Sequence, residues 1–112
     1  MNVCLLAGVL YTLAWTHSVE KVTWEEDWQA AKGRLVLVEA RIQGSGAGME
    51  PGEDAVLKNG FWRWRPKIPP LDRLILTQSY YATDYRLCWL GECHAMSELA
   101  PDAPTVELTA CP

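Results

Sequence analysis

The chain has 112 residues, of which 49% are hydrophobic and 21% are charged, a composition typical of a folded globular protein and not of a disordered one. Its Lys and Arg residues total 10 and its Asp and Glu residues total 14, which gives a net charge of -4. The chain therefore lacks the overall positive charge of a nucleic-acid binder or of a protein that binds anionic lipids. Its length predicts one domain over residues 1–112.

The N-terminal fifteen residues are strongly apolar and match the hydrophobic part of a signal peptide in length. No Lys or Arg precedes them, and no small-x-small cleavage pattern follows. A helix that spans a bilayer needs about 20 apolar residues, so the segment is too short for one. We therefore expect residues 3–6 to form a buried strand, with an export signal upstream of this start. Residues 9–19, rich in β-branched and aromatic side chains, predict a second strand.

Residues 23–33 carry signals for two different structures. Thr23 is followed three positions later by Glu26, which is the pattern of a capping box and favours a helix. In an extended chain, Glu26 and Trp28 would instead share one face. The remainder of the chain is dense in strand signals and favours a strand here, whereas the local signals favour a short helix near residues 24–32.

Further strands are predicted along the rest of the chain. Arg34–Gln43 is apolar on both faces in its middle, which is typical of a central strand. Asn59 and Gly60 join two short runs and predict a type I′ hairpin. The other predicted strands cover residues 55–58, 61–65, 71–78, 85–90, 93–96 and 105–110. About eight to ten short strands between Gly and Pro turns predict an all-β fold, a small antiparallel β-sandwich or barrel.

Four cysteines form an even set, which in a short chain indicates disulfides and an oxidising compartment. Cys88 and Cys93 flank a glycine-containing loop, and as cross-strand neighbours they would lie within bridging distance. A bridge between Cys4 and Cys111 would close almost the whole chain. The alternative, a zinc site that uses Cys88, Cys93 and His94, lacks a second ligand pair at recognisable spacing. We predict two disulfides and no metal, and the sequence alone leaves their connectivity open.

The stretch of residues 15–28 holds three of the six tryptophans and a dense set of ionisable groups, which marks it as a candidate ligand-binding site. Its candidate residues are His17, Ser18, Glu20, Lys21 and Glu26. On a strand, the neighbours His17 and Ser18 point to opposite faces, so they cannot act together as base and nucleophile. A hydrolase would need a triad, and none is visible. Rows of such side chains are more often structural, paired with one another and with the backbone.

Three glycines, Gly44, Gly46 and Gly48, alternate in a loop that follows the central strand. The loop lacks the Lys-Ser/Thr pair of a phosphate-binding loop, and its spacing departs from the dinucleotide fingerprint. Its backbone amides could still form an anion-binding nest. The alternative is that the glycines allow the strand to bulge or turn tightly.

Residues 61–65 interleave aromatic side chains with arginines, as some single-strand nucleic-acid binders do. On a strand, Trp62 and Trp64 share one face, while Arg63 and Arg65 share the other. Because the chain is acidic and its cysteines indicate disulfides, we predict tryptophans in the core, arginines outside and no nucleic-acid partner.

The sequence Y-T-L-A-W-T-H-S-V-E-K-V-T-W-E-E-D-W, followed by L-V-L-V-E-A-R-I-Q-G-S-G-A-G-M-E, resembles a bacterial family, domain of unknown function eighteen-fifty. The Asn-Gly-Phe-Trp hairpin, the Ile-Pro-Pro-Leu crossover and L-C-W-L-G-E-C are also similar to its members. The resemblance extends from about residue 11 onward. It implies a strand at residues 23–33 and marks as hallmark positions His17, Ser18, Glu20, Lys21, Gly44, Gly46 and Gly48. A leader would be expected before the H-S-V-E-K motif, and here the sequence departs from the family.

Members of this family are typically small exported proteins whose genes neighbour those of tripartite ATP-independent periplasmic (TRAP) transporters. The resemblance therefore implies a non-enzymatic periplasmic accessory or binding protein that works beside the membrane or solute-binding subunits of such a transporter. The alternative is a small ligand- or metal-binding protein that uses the stretch from His17 to Glu26 and the glycine loop. The sequence indicates no cofactor.

Overall fold

Ten strands and one short helix make up the parts of the chain that the computed structural model describes, which are residues 1–16, 22–43, 54–77 and 85–112. The strands are β1 (Asn2–Leu5), β2 (Leu10–Thr16), β3 (Thr23–Ala31), β4 (Arg34–Gln43), β5 (Val56–Lys58), β6 (Phe61–Trp64), β7 (Leu74–Thr77), β8 (Arg86–Trp89), β9 (Glu92–Ala95) and β10 (Thr105–Ala110), and the helix is α1 (Met96–Leu99). They form two sheets, so the all-β prediction is confirmed and the fold is sandwich-like.

The larger sheet has seven strands in the order β5-β6-β4-β3-β2-β8-β9, and every neighbouring pair in it is antiparallel. β3 and β4 lie at its centre and pair along their whole lengths, with one shift of register between Asp27 and Trp28. Such a bulge bends a strand and increases its local twist. The prediction of a central strand at Arg34–Gln43 is confirmed.

The smaller sheet has three strands in the order β1-β10-β7. β10 is antiparallel to β7 but parallel to β1. Parallel neighbours need a long connection, and β1 and β10 are separated by most of the chain. This pairing of the two ends is the one departure from an antiparallel arrangement among the described strands.

The two sheets bury a common core between them. Its members come from both sheets and from α1, and they are Leu5, Tyr11, Leu13, Trp28, Ala30, Leu35, Leu76, Leu87, Met96, Ala100, Val106 and Leu108. We call the face of the seven-stranded sheet that carries Leu13, Trp28 and Leu87 the inward face. The opposite face is the outward face.

Three hairpins of the larger sheet turn through two residues with positive φ, as a type I′ turn requires. Asn59 and Gly60 form the predicted turn, with φ of 54° and 82°. Lys32 with Gly33, and Leu90 with Gly91, turn in the same way. In each pair the glycine takes its left-handed conformation without steric cost.

β3 shows why the helical alternative at residues 24–32 is wrong. The strand pairs with β2 on one side and with β4 on the other, so its backbone groups find partners within the sheet. A helix here would leave the inner edges of both neighbours unpaired, which costs more than a favourable capping box contributes. The short helix of this chain lies instead at Met96–Leu99.

Both predicted disulfides are present. Cys4 is bonded to Cys111 and Cys88 to Cys93, and none of the described cysteines is free. The first bridge joins the paired end strands β1 and β10, and the second crosses the β8–β9 hairpin. Cys88 and Cys93 therefore offer no thiolate to a metal, unlike in the zinc alternative.

We expect the two bridges to contribute unequally to stability. Replacing Cys4 and Cys111 by Ala opens a loop of about 100 residues and should cost about 4–5 kcal/mol, because a long loop gains the most entropy when the chain unfolds. Replacing Cys88 and Cys93 opens a loop of five residues and should cost about 2 kcal/mol. Urea denaturation of the two double variants measures both values, and an equal loss would contradict the expectation.

Candidate functional site

Of the candidate site residues, the structure describes Glu26. Outside the described residues lie His17, Ser18, Glu20, Lys21, Gly44, Gly46 and Gly48, so the structure does not test whether they approach Glu26. The chain reaches residues 17–21 from the end of β2 and leaves them towards the start of β3.

Glu26 lies in the middle of β3, on the inward face. Its cross-strand neighbours are Leu13 on β2 and Ala40 on β4, both of which are buried. Along its own strand, Trp24 and Trp28 stand two residues away on the same face. The carboxyl group is therefore set among apolar side chains in all four directions within the sheet.

Four aromatic residues, which we call the aromatic cluster, extend from Glu26 across the inward face. Trp15 and Trp24 are directly paired across β2 and β3, and their rings are parallel with centroids 5.9 Å apart. Trp64 meets Trp24 edge-on at 6.3 Å, with 72° between the ring planes. Tyr85 completes the cluster at 5.7 Å from Trp15. All four side chains are partly exposed.

The aromatic cluster lies at the border of the core. Trp15 and Tyr85 are partly buried and pack against the core residues. Trp24 and Trp64 are not among the described residues that pack against this core. By contrast, Trp28 is 3% exposed and belongs to the core itself. The sequence predicted that Trp62 and Trp64 lie in the core. Both side chains are half-buried and not fully buried, so the prediction is confirmed only in part.

The surroundings of Glu26 disfavour its charged form. Burial raises the pKa of its carboxyl group above the ordinary value of 4.5, and a hydrogen bond from the indole of Trp28 lowers it by less. Trp28 donates from Nε1 to Glu26 Oε1 over 3.2 Å. Burial also raises the pKa of Tyr85, and the negative charge of Glu26 raises it further.

The outward face of the same strands carries a different arrangement, centred on Arg41. Its guanidinium donates to both carboxylate oxygens of Asp27, at 2.7 and 2.8 Å, and to Glu25 at 3.0 Å and Glu39 at 2.9 Å. Arg63 also donates to Glu39, at 3.2 Å. Arg41 is only 9% exposed. We call these five residues the Arg41 network.

The charges of the Arg41 network stabilise one another. Burial alone would raise the pKa of Asp27, but hydrogen bonds from Arg41 and Thr12, with the positive charges of Arg41 and Arg63, outweigh it and hold that pKa below 3.8. Chiefly through its hydrogen bond to Asp27, Arg41 has a raised pKa and stays charged. Each carboxylate of the network faces an arginine, so the arrangement is that of a structural ion-pair network.

The findings on metal-binding clusters and membrane-spanning helices hold for the described residues only. Within the described ranges, no group of three or more His, Cys, Asp or Glu side chains is placed to hold a metal ion. No helix in this part of the chain is long and apolar enough to cross a membrane.

Sequence reasoning found Glu26 but missed most of its surroundings. The two-residue period of a strand places Trp24 and Trp28 on the face of Glu26, but it does not say which strands lie beside β3. Trp64 and Tyr85 are distant in sequence and reach this face only through the strand order. The alternating acids Glu25 and Asp27 were a usable signal for a charged outward face.

Removing the centre of the Arg41 network should destabilise the protein strongly. In Arg41→Met, the buried charge of Asp27 would lose its ion-pair partner and keep only the hydrogen bond from Thr12, and breaking a buried ion pair in this way costs about 3–5 kcal/mol. The matched control is Arg34→Met, because Arg34 pairs with Asp72 on the surface, where both side chains are mostly exposed and a pair contributes at most about 1 kcal/mol. Urea denaturation at neutral pH compares them; similar losses would contradict a central role for Arg41.

Glu26→Gln should stabilise the protein at neutral pH. Glutamine keeps an acceptor for Trp28 without burying a charge. Because the folded-state pKa of Glu26 is raised, the advantage of the variant is fully present above that pKa and disappears as the pH falls below about 4.5. Melting temperatures of both proteins across this range measure the effect. Glu98→Gln, at an exposed position of α1, is the control; a wild type more stable than Glu26→Gln at neutral pH would contradict the expectation.

Comparison with known proteins identifies the family. No curated protein and no solved structure is significantly similar to the chain. A family described as Domain of unknown function (DUF1850) matches residues 11–96, a range that begins in β2 and ends at the first residue of α1. It thus contains Glu26, the aromatic cluster and the Arg41 network. The chain belongs to this family of domains of unknown function, DUF1850.

Proposed function

We propose that the protein is a non-enzymatic accessory or binding protein that works outside the cytoplasm beside a TRAP-type solute transporter. The observation that supports the proposal is membership of the DUF1850 family over residues 11–96, because the resemblance to this family implies a small exported protein encoded next to such a transporter. The role expected for the chain is contact with the membrane subunits or with the solute-binding subunit of the transporter.

The disulfides support a location in an oxidising compartment. All four cysteines are bridged, and disulfides form and persist in the periplasm and outside the cell, whereas the cytosol keeps thiols reduced. One bridge joins β1 to β10 in the smaller sheet and the other crosses the β8–β9 hairpin of the larger sheet, so each sheet contains a disulfide. A protein built in this way suits the side of the membrane on which a solute-binding subunit meets its transporter.

The arrangement of charged groups supports a binding role in preference to catalysis. On the outward face the carboxylates are engaged by Arg41 and Arg63, which hold them in place. A general acid or base needs a partner group and a substrate within hydrogen-bond reach. Glu26 has instead apolar and aromatic neighbours, which suit recognition of a ligand.

An exposed edge offers a surface for the transporter. Among the described strands, β5 is one of the two edge strands of the larger sheet, and its Val56 and Leu57 are 64% and 56% exposed. Neighbouring residues of a strand point to opposite faces, so β5 exposes an apolar side chain on each face. An unpaired edge with apolar side chains is a template for a strand or loop of another protein.

Affinity purification of the tagged chain, co-expressed with the subunits of the neighbouring transporter, should recover at least one of those subunits. Changing Val56 and Leu57 to Asp should reduce the recovery several-fold, because two charges on an edge oppose strand addition. Ile75→Asp is the matched control, since Ile75 is 55% exposed on the edge strand β7 of the other sheet. Recovery of no transporter subunit by the wild-type chain would contradict the proposal.

A second candidate function is the binding of a small ligand or a metal ion by the stretch from His17 to Glu26 and the glycine loop. One observation favours the ligand: on the inward face of the larger sheet, the carboxyl group of Glu26 lies beside the partly exposed rings of the aromatic cluster. Binding sites for small molecules commonly combine aromatic walls with few polar groups. This function is compatible with an accessory role.

A further inference from the structure

The hairpin of β8 and β9 ends one side of the larger sheet, and its outer strand faces solvent. β9 is the outermost of the described strands on that side, and it has four residues. Gly91, Glu92 and Cys93 are all exposed, and the side chain of Glu92 is 77% exposed. The edge of β9 is therefore accessible to another strand.

The backbone groups of β9 alternate between β8 and this edge. Directly after β9, the amide of Met96 donates to the carbonyl of Tyr85 over 2.6 Å. In an antiparallel ladder, every second residue of a strand bonds to a given neighbour. The even-numbered residues of β9 therefore bond to β8. The N–H and C=O groups of Cys93 and Ala95, and of Gly91 before them, point to the edge.

The side chains of β9 alternate in the same way. Glu92 and His94 share the inward face of the sheet, and Nε2 of His94 lies 3.6 Å from the carboxylate of its own Glu92. An acid and an imidazole two residues apart are self-complementary: a second copy of the strand, running antiparallel, can set each group opposite the other. A two-fold axis produces this arrangement, and it is the commonest symmetry of protein dimers.

We propose that β9 pairs with β9 of a second copy of this chain, antiparallel and around a two-fold axis at Cys93. In this register Cys93 exchanges backbone hydrogen bonds with Cys93 of the second copy, and Gly91 does so with Ala95. Glu92 then lies opposite His94 of the second copy, twice by symmetry, at positions where opposed side chains are closest. An imidazole N–H donates to a carboxylate in either protonation state.

The charges select this register over the others. Sliding one strand by two residues also aligns the backbone groups, but it sets Glu92 opposite itself in one direction and His94 opposite itself in the other. Like groups directly opposite one another are destabilising. Sliding by one residue would oppose residues whose backbone groups point in different directions. Head-to-tail pairing of β9 with the apolar edge strand β5 would leave both groups without a polar partner and would propagate into a fibre.

The same register explains an unusual residue at the turn of the hairpin. Leu90 is 83% exposed and has φ of 51°, a left-handed conformation that is costly for most side chains. Lys32 and Asn59 hold the same position in the other two turns of this kind. Leucine at this position benefits neither the turn nor packing within its own chain. The proposed register brings Leu90 beside the start of α1 of the second copy, where association removes it from water.

Sedimentation velocity of the wild-type protein, from micromolar to millimolar concentration, measures the association. We expect a reversible equilibrium between monomer and dimer, because a short edge strand and two polar pairs form a small interface. A protein that stays monomeric at every concentration would overturn the proposal. Species that grow beyond the dimer would overturn it as well, because they would indicate head-to-tail pairing.

An exchange of charge between the two opposed positions tests the register. Glu92→Arg alone sets two basic groups opposite one another, and His94→Glu alone sets two carboxylates opposite one another, so each should weaken the dimer roughly tenfold. An equimolar mixture of the two variants should restore it, because every opposed pair then joins an acid to a base. A mixture that associates no more strongly than its components would overturn the proposal.

The matched control for these variants is Asp54→Arg, which makes the same change of charge as Glu92→Arg. Asp54 is exposed and precedes β5 at the far edge of the same sheet, so this variant should dimerise as the wild type does. Melting temperatures of all variants confirm that they fold. Equal weakening in Asp54→Arg and Glu92→Arg would overturn the proposal, because the effect would then come from net charge.

Leu90→Asn separates association from folding. Asparagine suits the left-handed position of the turn, so the melting temperature of the monomer should rise slightly. The dimer should weaken several-fold, because the apolar side chain that meets α1 of the second copy is lost. A dimer as strong as that of the wild type would overturn the placement of Leu90 in the interface.

Discussion

The bidentate ion pair between Arg41 and Asp27 is the interaction on which the larger sheet depends. It joins β3 to β4 at the residue where their register shifts. Thr12 donates to Asp27 over 2.7 Å and so adds β2, while Glu39 connects Arg41 to Arg63 on β6. Hydrogen bonds and ion pairs of one connected network therefore link the four neighbouring strands β2, β3, β4 and β6. Such a network is costly to bury, but once it is formed, each member is needed to satisfy the others.

The alternation of side chains along β3 then gives its two faces different chemistry. Glu25 and Asp27 point outward and are compensated by arginine, whereas Glu26, between them in sequence, points inward among aromatic rings. Three consecutive acids therefore have two different environments. The outward pair accepts hydrogen bonds from Arg41, whereas burial raises the pKa of Glu26. The first arrangement stabilises the fold, whereas the second places a carboxyl group among apolar and aromatic side chains.

Much of this fold could be predicted from the sequence because glycine, proline and asparagine residues mark the turns between the strands. Arg34–Gln43 and Thr105–Ala110 were predicted with the bounds that they have, and Asn59 with Gly60 marked its hairpin. The cysteine positions predicted two disulfides but left their connectivity open, and the structure pairs Cys4 with Cys111 and Cys88 with Cys93. What local patterns could not supply was the strand order. The parallel pairing of β1 with β10 and the approach of Trp64 and Tyr85 to the face of Glu26 depend on contacts between distant segments, which carry no local signal.

Among the contacts of the described residues, Glu26 has none that requires a negative charge for folding. A glutamine would accept the hydrogen bond from Trp28 equally well and would avoid the cost of burying a charge, and a leucine would match the neighbouring Leu13. A charged Glu26 lowers the stability of the fold compared with a glutamine or a leucine at this position. Residues that lower stability in this way are often found at functional sites, where the requirements of function and of packing differ. The conflict is local, because two residues away Trp28 is fully packed in the core. Glu26 is therefore the position at which the described part of this sheet departs from purely structural requirements.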